Sequence, residues 1–222
     1  MTRSGLLFVL GVAAAVGVAF GIVPNLDLAV SGYFFDPAAK QFPLRDLPIN
    51  RLIRDGAEWI MILLIAPAIA ALVIRLALPR RPFPISGRAA LFLVATLALG
   101  PGLLVNAVLK DHWPRPRPVA VVEFGGSDRF VPWWDPRGAC ARNCSFVSGE
   151  AATAFWTLAP AALVPPPWRA LALGAAAAYG IAIGGLRLAA GAHFFTDVVF
   201  AGVFTFLLIW LAHRLLFRPP AA

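Results

Sequence analysis

Basic residues and a histidine–aspartate pair occur in this chain at spacings that suit phosphate chemistry. Lys110 is followed seven positions later by Arg117, and the segment Arg187, His193 and Asp197 has the form Arg-x5-His-x3-Asp. Lysine and arginine bind phosphoryl oxygens, and arginine adds a bidentate fork. An imidazole beside a carboxylate can act as a nucleophile. We therefore predict a phosphate site in which three cations bind the equatorial oxygens and stabilise the charge of the transition state.

The spacing of His193 and Asp197 predicts how the nucleophile is oriented. Residues four apart share one helix face, so the carboxylate lies within hydrogen-bond reach of the ring. Such a bond would fix one ring nitrogen as a donor and leave the other with its lone pair. Arg187 lies six positions before His193 and does not share this face, but Gly191 offers a helix break between them. We expect Arg187 and His193 to meet across that turn.

A Ser-Gly-Glu triplet at 148–150 opens another apolar segment. We expect Ser148 and the Gly149 amide, at the positive end of a helix, to form a further seat for an anion. Glu150 could protonate the leaving oxygen if burial keeps it protonated, or could stay ionised and orient a water or a sugar hydroxyl, with His112 as the acid. A leaving group that needs little protonation and a helix-capping role for Glu150 are further alternatives. These alternatives stay open from the sequence.

The composition places this site in a membrane protein. Of 222 residues, 60% are hydrophobic and 14% are charged, whereas about a quarter are charged in soluble domains. A helix needs about 20 apolar residues to cross the hydrocarbon layer. We predict an all-α fold, a polytopic bundle of six transmembrane helices in one domain over 1–222, with an extramembrane loop between helices three and four. The predicted spans are about 5–23, 57–78, 89–109, 147–164, 168–186 and 194–217.

The chemically interesting residues fall at ends of these predicted helices. Lys110 ends the third, the triplet 148–150 opens the fourth, Arg187 ends the fifth and His193 opens the sixth. In an alternating topology these four ends face the same side of the membrane. Ionisable side chains at such positions are costly and indicate function. We therefore expect one pocket to collect them.

Arginines in the short loops predict the orientation, because basic loops stay in the cytoplasm. The loop from Lys110 to about Phe146 then faces the periplasm of a bacterial inner membrane. We assign the formal net charge of +8 to contacts with anionic lipid headgroups and not to nucleic acid. The oligomeric state is not predicted. The arginines predicted to be cytoplasmic are Arg75, Arg80, Arg81, Arg88, Arg214 and Arg218.

Both cysteines, Cys140 and Cys144, lie in the loop predicted to be periplasmic. A disulfide across this short loop requires an oxidising compartment. Zinc ligation together with His112 lacks an evident fourth ligand, and unpaired thiols are the remaining alternative. Arg115, between the two motif cations, is interpreted as structural or as a headgroup contact.

A serine-hydrolase triad of Ser148, His193 and Asp197 is the competing catalytic interpretation. The Gly-x-Ser-x-Gly elbow of such enzymes is absent, because residues 146–150 read Phe-Val-Ser-Gly-Glu. A triad would also leave the three cations without a role. The phosphate site is therefore favoured.

These motifs resemble those of the type 2 phosphatidic acid phosphatase superfamily of membrane lipid phosphatases. The family motifs are Lys-x6-Arg-Pro, Pro-Ser-Gly-His and Ser-Arg-x5-His-x3-Asp. The first is complete here and ends at Pro118. The second reads Val-Ser-Gly-Glu at 147–150, and the third has Leu186 in place of serine. The wording Ser-Phe-Val-Ser-Gly-Glu is also similar to superfamily members that act on lipid A phosphates.

The resemblance implies hydrolysis of a lipid phosphate monoester or pyrophosphate without a metal or other cofactor, through a phosphohistidine. In that family the histidine at the position of His193 attacks phosphorus, and Glu150 occupies the position of the histidine that protonates the leaving alcohol. Lipid A phosphate is the leading candidate substrate, ahead of polyprenyl pyrophosphates, phosphatidylglycerol phosphate and phosphatidate. The two motif departures also allow an alternative, a catalytically impaired membrane protein that binds or transports phospholipids.

Overall fold

The computed structural model describes residues 2–78 and 84–217. These ranges contain no strand, and the predicted all-α class is confirmed. Three short 3-10 turns, Pro43–Arg45, Pro118–Ala120 and Val122–Phe124, lie in the connections. The helices in the described ranges are α1 Arg3–Ile22, α2 Asn25–Gly32, α3 Pro48–Ala77, α4 Gly87–His112, α5 Gly149–Phe155, α6 Leu158–Ala162, α7 Arg169–Ala189 and α8 Phe195–Phe217.

Five of these helices, α1, α3, α4, α7 and α8, are long and apolar enough to cross a membrane. The predicted fourth span, 147–164, consists instead of the two short helices α5 and α6, so the count of six is not confirmed. Pro160 has no N–H to donate to the Trp156 carbonyl, which accepts from Ala159 at 2.8 Å. The chain therefore tightens at Trp156 and Thr157, and one continuous helix does not form.

Helix α3 is longer than a membrane crossing requires. Its 30 residues rise about 45 Å at about 1.5 Å each, against a hydrocarbon layer of about 30 Å. The polar residues Arg51, Arg54, Asp55 and Glu58 all lie in its first three turns. The start of α3 therefore extends into the headgroup region, where the site described below is found.

Close helix packing in the interior positions the site. A Cβ atom at Gly180 of α7 would lie 2.2 Å from the Phe155 ring of α5, and one at Gly184 would lie 2.3 Å from Val198 of α8. Glycine at both positions lets α7 approach α5 and α8 closely. This packing brings the end of α7, with Arg187, next to the start of α5.

The turn between α7 and α8 depends on Gly191. Its φ of +63° lies in the left-handed region that side chains other than glycine rarely adopt. The Phe42 ring packs directly against it, and a Cβ atom at Gly191 would lie 2.4 Å from that ring. The turn reverses the chain after Ala189, and His193 follows it immediately.

Three of the arginines predicted to face the cytoplasm lie within the described residues, and all three are at or near helix ends. Arg75 lies in the last turn of α3, Arg88 opens α4 and Arg214 lies near the end of α8. The others, Arg80, Arg81 and Arg218, lie outside the described residues. The orientation remains a prediction.

Candidate active site

Lys110 and Arg117, the cations of the first motif, meet at Asn143. The Asn143 Oδ1 accepts a hydrogen bond from Lys110 Nζ at 3.2 Å and another from Arg117 Nη2 at 2.9 Å. Its backbone carbonyl also accepts from Arg117, at 2.9 Å from Nη2. Burial lowers the pKa of Arg117 below its ordinary value, and the nearby Glu150 opposes that shift. Asn143 therefore holds one ammonium group and one guanidinium group side by side in a partly dehydrated place.

The loop that carries Asn143 is closed by a disulfide between Cys140 and Cys144, whose Cα atoms are 5.7 Å apart. The Cys144 N–H donates to the Lys110 carbonyl at 3.1 Å, which attaches the loop to the end of α4. Asn143 has a φ of +52°, a conformation that asparagine tolerates better than most residues. Because the two sulfurs are bonded to each other, they do not serve as zinc ligands. Within 2–78 and 84–217, no group of three or more His, Cys, Asp or Glu residues is arranged to hold a metal.

Glu150 pairs with two arginines at the mouth of the site. Its Oε2 lies 2.9 Å from Arg187 Nε, and its Oε1 lies 2.8 Å from Arg54 Nη2. The contact with Arg187 lacks the alignment of a hydrogen bond, whereas Arg54 Nε donates to Oε1 at 3.0 Å. Arg54 was not among the predicted site residues, although it opens an apolar run on the same side as the motifs. Glu150 thus contacts the Arg187 guanidinium, to which a phosphate is expected to bind.

Ser148 and Gly149 form the start of α5 beside Lys110. Ser148 is fully buried, and its Oγ caps the helix by accepting from the Ala151 N–H at 3.3 Å. A Cβ atom at Gly149 would lie 2.8 Å from Asn106 Oδ1 and 2.9 Å from Lys110 Nζ. Glycine at this position therefore permits the lysine to reach the helix start.

His193 is buried just before α8, and its ring is oriented by a backbone carbonyl. Its Nδ1 lies 2.8 Å from the Ser145 carbonyl oxygen. Since a carbonyl can only accept, Nδ1 carries the hydrogen in the neutral ring and Nε2 carries the lone pair. The Asp197 carboxylate, predicted to hold the ring, lies 3.8 Å from Nδ1, beyond hydrogen-bond distance. His193 precedes the helix, so the geometry of residues four apart on a helix face does not apply.

The Asp197 carboxylate instead accepts hydrogen bonds from groups other than the His193 ring. Its Oδ2 accepts from Ser145 Oγ at 2.5 Å and from the Phe194 N–H at 2.8 Å. Its Oδ1 accepts from Arg115 at 2.5 Å. Ser145 therefore contacts both members of the pair, with its carbonyl on the ring and its hydroxyl on the carboxylate. No spacing pattern in the sequence indicated this residue.

Arg115 is completely buried and forms the centre of an ionic network. Besides Asp197, its guanidinium donates to Asp27 Oδ2 at 2.7 Å, to Thr196 Oγ1 at 2.8 Å and to the Val131 carbonyl at 3.0 Å. Burial raises the pKa of Asp27, and the charge of Arg115 opposes the rise. These contacts link α2 to the start of α8. They correspond to the structural role, one of the two interpretations given for Arg115.

Arg54 lines three cavities, and two of them also contain predicted site residues. The first, which we name the phosphate cavity, has a volume of about 270 Å³. It is lined by Arg45, Arg54, Arg117 and Arg187, and also by Ala192, the neighbour of His193. The second, which we name the side cavity, has a volume of about 260 Å³. Its polar lining comprises Arg54, Asp55, Glu58, Asn106, Lys110, Gly149, Glu150, Thr153 and Tyr179.

Five of the predicted site residues line these two cavities, whereas Ser148, His193 and Asp197 are buried and line neither. Arg117 and Arg187 line the phosphate cavity, and Lys110, Gly149 and Glu150 line the side cavity. His112 lies outside both; it is exposed, and its Nδ1 is 2.9 Å from the Val108 carbonyl. The additional residues that prediction missed are Arg45, Arg54, Asn143 and Ser145.

The ionisation of His193 leads to a prediction about pH. Burial is the main cause that lowers the pKa of His193 below 6.5; Asp197 opposes the shift, and Arg117 and Lys110 add to it. The lone pair is lost only when the pH falls through this lowered pKa. We therefore expect the acid limb of kcat/KM, and the NMR titration of the His193 ring in detergent, to lie below pH 6.5.

The chain has only three histidines, so the ring signal can be assigned by its disappearance in His193→Gln. Because the phosphate group of a substrate also titrates near neutral pH, the ring titration is the decisive measurement. A His193 midpoint at or above pH 6.5 would contradict the argument from burial.

Comparison with known proteins points to one family. A family model described as the PAP2 superfamily matches residues 89–220. A protein named lipid A 4'-phosphatase from Francisella tularensis subsp. novicida (strain U112) is 36% identical over 220 residues, which are 98% of each chain. A lipid A 4'-phosphatase from Rhizobium leguminosarum is 46% identical over 106 residues, 48% of this chain and 46% of its own. No solved structure matches the chain.

Proposed function

Because the chain belongs to the PAP2 superfamily and is a membrane lipid phosphatase, we propose that it hydrolyses a lipid A phosphate through a phosphohistidine at the periplasmic face. Its full-length relative named lipid A 4'-phosphatase supports the choice of substrate. The disulfide between Cys140 and Cys144 supports the periplasmic side, because such bonds persist in oxidising compartments.

The observation that carries the mechanism is the contact of His193 Nδ1 with the Ser145 carbonyl. It leaves Nε2 as the nucleophile. Nε2 forms a bond to phosphorus while the bond from phosphorus to the leaving sugar oxygen breaks, and the electron pair stays on that oxygen. Lys110, Arg117 and Arg187 stabilise the equatorial oxygens. Water then cleaves the bond between Nε2 and phosphorus and releases inorganic phosphate.

Glu150 supplies the proton in this proposal. A phosphate that binds Arg187 displaces the Glu150 carboxylate from its ion pair. Glu150 lines the side cavity and contacts Arg187 of the phosphate cavity. In its protonated form it can therefore donate to a leaving oxygen placed between them. His112 has no role in this scheme.

The test is phosphate release by the purified protein in detergent, with a chelator present throughout. The substrates are lipid A, phosphatidate and a polyprenyl pyrophosphate. We expect the highest kcat/KM for lipid A, and acid-labile labelled phosphate on the peptide that contains His193. A requirement for added metal would contradict the mechanism. Binding of these lipids without release from any of them would favour the alternative of a non-hydrolytic phospholipid-binding protein.

A further inference from the structure

The start of α3 contributes to the site although it lies outside the residues that the superfamily model matches. That match covers 89–220, whereas Arg45, Arg54, Asp55 and Glu58 precede it and line the two cavities. The motif residues thus come from the matched region, and one wall of the site comes from residues that precede it. Such a wall is the expected place for substrate selection.

The two cavities differ in charge. The phosphate cavity is lined by four arginines and one carboxylate, Asp46. The side cavity has three carboxylates, Asp55, Glu58 and Glu150, against two cations, Arg54 and Lys110. An anion is therefore favoured in the first cavity and disfavoured in the second.

The side cavity also presents an amide oxygen and a hydroxyl group that make no hydrogen bond within the described residues. The Asn106 amide is fixed, because its Nδ2 donates to the Pro101 carbonyl at 2.7 Å, and its Oδ1 is left beside Gly149. The Tyr179 hydroxyl oxygen is buried and has no hydrogen-bond partner among the residues that the structure describes. A buried polar atom without a partner costs free energy, which a donor on a ligand would recover. The complement of this lining is a neutral group with several O–H or N–H donors.

The position of Glu150 indicates which part of the substrate the side cavity binds. Glu150 contacts Arg187 of the phosphate cavity and also lines the side cavity. In the proposed function this residue protonates the leaving oxygen, so the leaving group extends from it into the side cavity. The volume of about 260 Å³ corresponds to about nine water molecules at about 30 Å³ each. That space is sufficient for a single hexose ring.

We infer that the side cavity binds the leaving sugar, and that Asp55 and Glu58 select an uncharged sugar ring by accepting hydrogen bonds from its hydroxyl and amide groups. This inference rests on the proposed function. It excludes pyrophosphates as good substrates, because their leaving group is itself a phosphate and would be repelled by Asp55 and Glu58. A glycerolipid leaving group is neutral but offers few donors, and the acceptors would remain unpaired.

The test compares a hexosamine-based lipid phosphate with a polyprenyl pyrophosphate in wild type and in Asp55→Asn/Glu58→Gln. Both changes keep the side-chain shape and remove the charge. We expect kcat/KM for the sugar substrate to fall by about 10- to 100-fold and that for the pyrophosphate to rise. The matched control is Glu123→Gln, an exposed carboxylate away from both cavities, which should leave the ratio of the two rates unchanged.

A second variant keeps the inference testable if the double variant folds poorly. Tyr179→Phe removes only a hydroxyl and should lower kcat/KM for the sugar substrate without lowering that for the pyrophosphate. An equal loss for both substrates, or an unchanged ratio in both variants, would overturn the inference. Wild-type turnover of the pyrophosphate but not the sugar phosphate would overturn it while leaving the phosphatase activity intact. Turnover of neither substrate would overturn the proposed function as well.

Discussion

Replacing His193 with alanine is expected to lower phosphate release by roughly 10⁴-fold or more, while lipid binding persists. The variant loses Nε2, and the three cations proposed to bind phosphate are retained. Phosphate release in detergent over hours measures the residual rate, and titration calorimetry with the same lipid measures binding. His193→Asn serves as a second variant, because its amide nitrogen occupies the place of Nδ1 and can still donate to the Ser145 carbonyl.

The matched control for this experiment is His112→Ala. His112 is exposed and lies outside both cavities, so we expect a rate within about threefold of wild type, as for surface changes away from a site. Normal turnover in His193→Ala would refute the nucleophile. Loss of turnover in His112→Ala alone would instead assign the acid to His112 and remove that role from Glu150.

Replacing Arg115 with methionine is expected to lower the free energy of unfolding by about 3–5 kcal/mol, because it removes one partner of a buried ionic network. The two carboxylates that remain, Asp27 and Asp197, are 1% and 0% exposed and would lack their cation. Thermal unfolding in detergent, followed by tryptophan fluorescence, measures the loss. We also expect kcat to fall, since Asp197 loses the contact that fixes it beneath His193.

An exposed ion pair provides the matched control. Arg137 pairs with Asp135 at 2.9 Å, but its side chain is 79% exposed, and exposed pairs contribute little. Arg137→Met should therefore leave Tm unchanged. Adding Asp27→Asn to Arg115→Met removes one unpaired charge and should recover part of the lost stability. Equal Tm values for Arg115→Met and wild type would contradict the importance of the network.

Sequence spacing was sufficient to propose the cations and the histidine as site residues, because they belong to short local motifs. Lys110 and Arg117 are seven positions apart, and Arg187 and His193 are separated by a turn that contains Gly191. Apolar run lengths likewise predicted five of the helices. The predicted fourth span did not form one helix, because Pro160 cannot donate to the Trp156 carbonyl. A prediction from hydrophobicity alone does not include this effect.

The contacts that orient His193 could not be predicted in this way, because they join distant parts of the chain. The Ser145 carbonyl, which holds His193, belongs to the backbone, and a carbonyl at this position is present whatever the side chain is. Arg54 meets Glu150 across 96 positions. In the sequence its acidic neighbour Asp55 made Arg54 resemble an ordinary surface cation. Such pairings follow from how the helices pack, which a single sequence does not specify.

The sequence positions of Asp27 and its partners determine when its ion pair can form during synthesis. Its partners Arg115 and Thr196 follow it by 88 and 169 positions. During translation the carboxylate has no counter-charge until the loop after α4 emerges, and no hydroxyl donor until α8 has entered the bilayer. The hydrogen-bond network around Asp27 and Arg115 is therefore completed only after α8 has entered the bilayer. In a chain that stalls before α8, Asp27 would lack its bonds from Thr196.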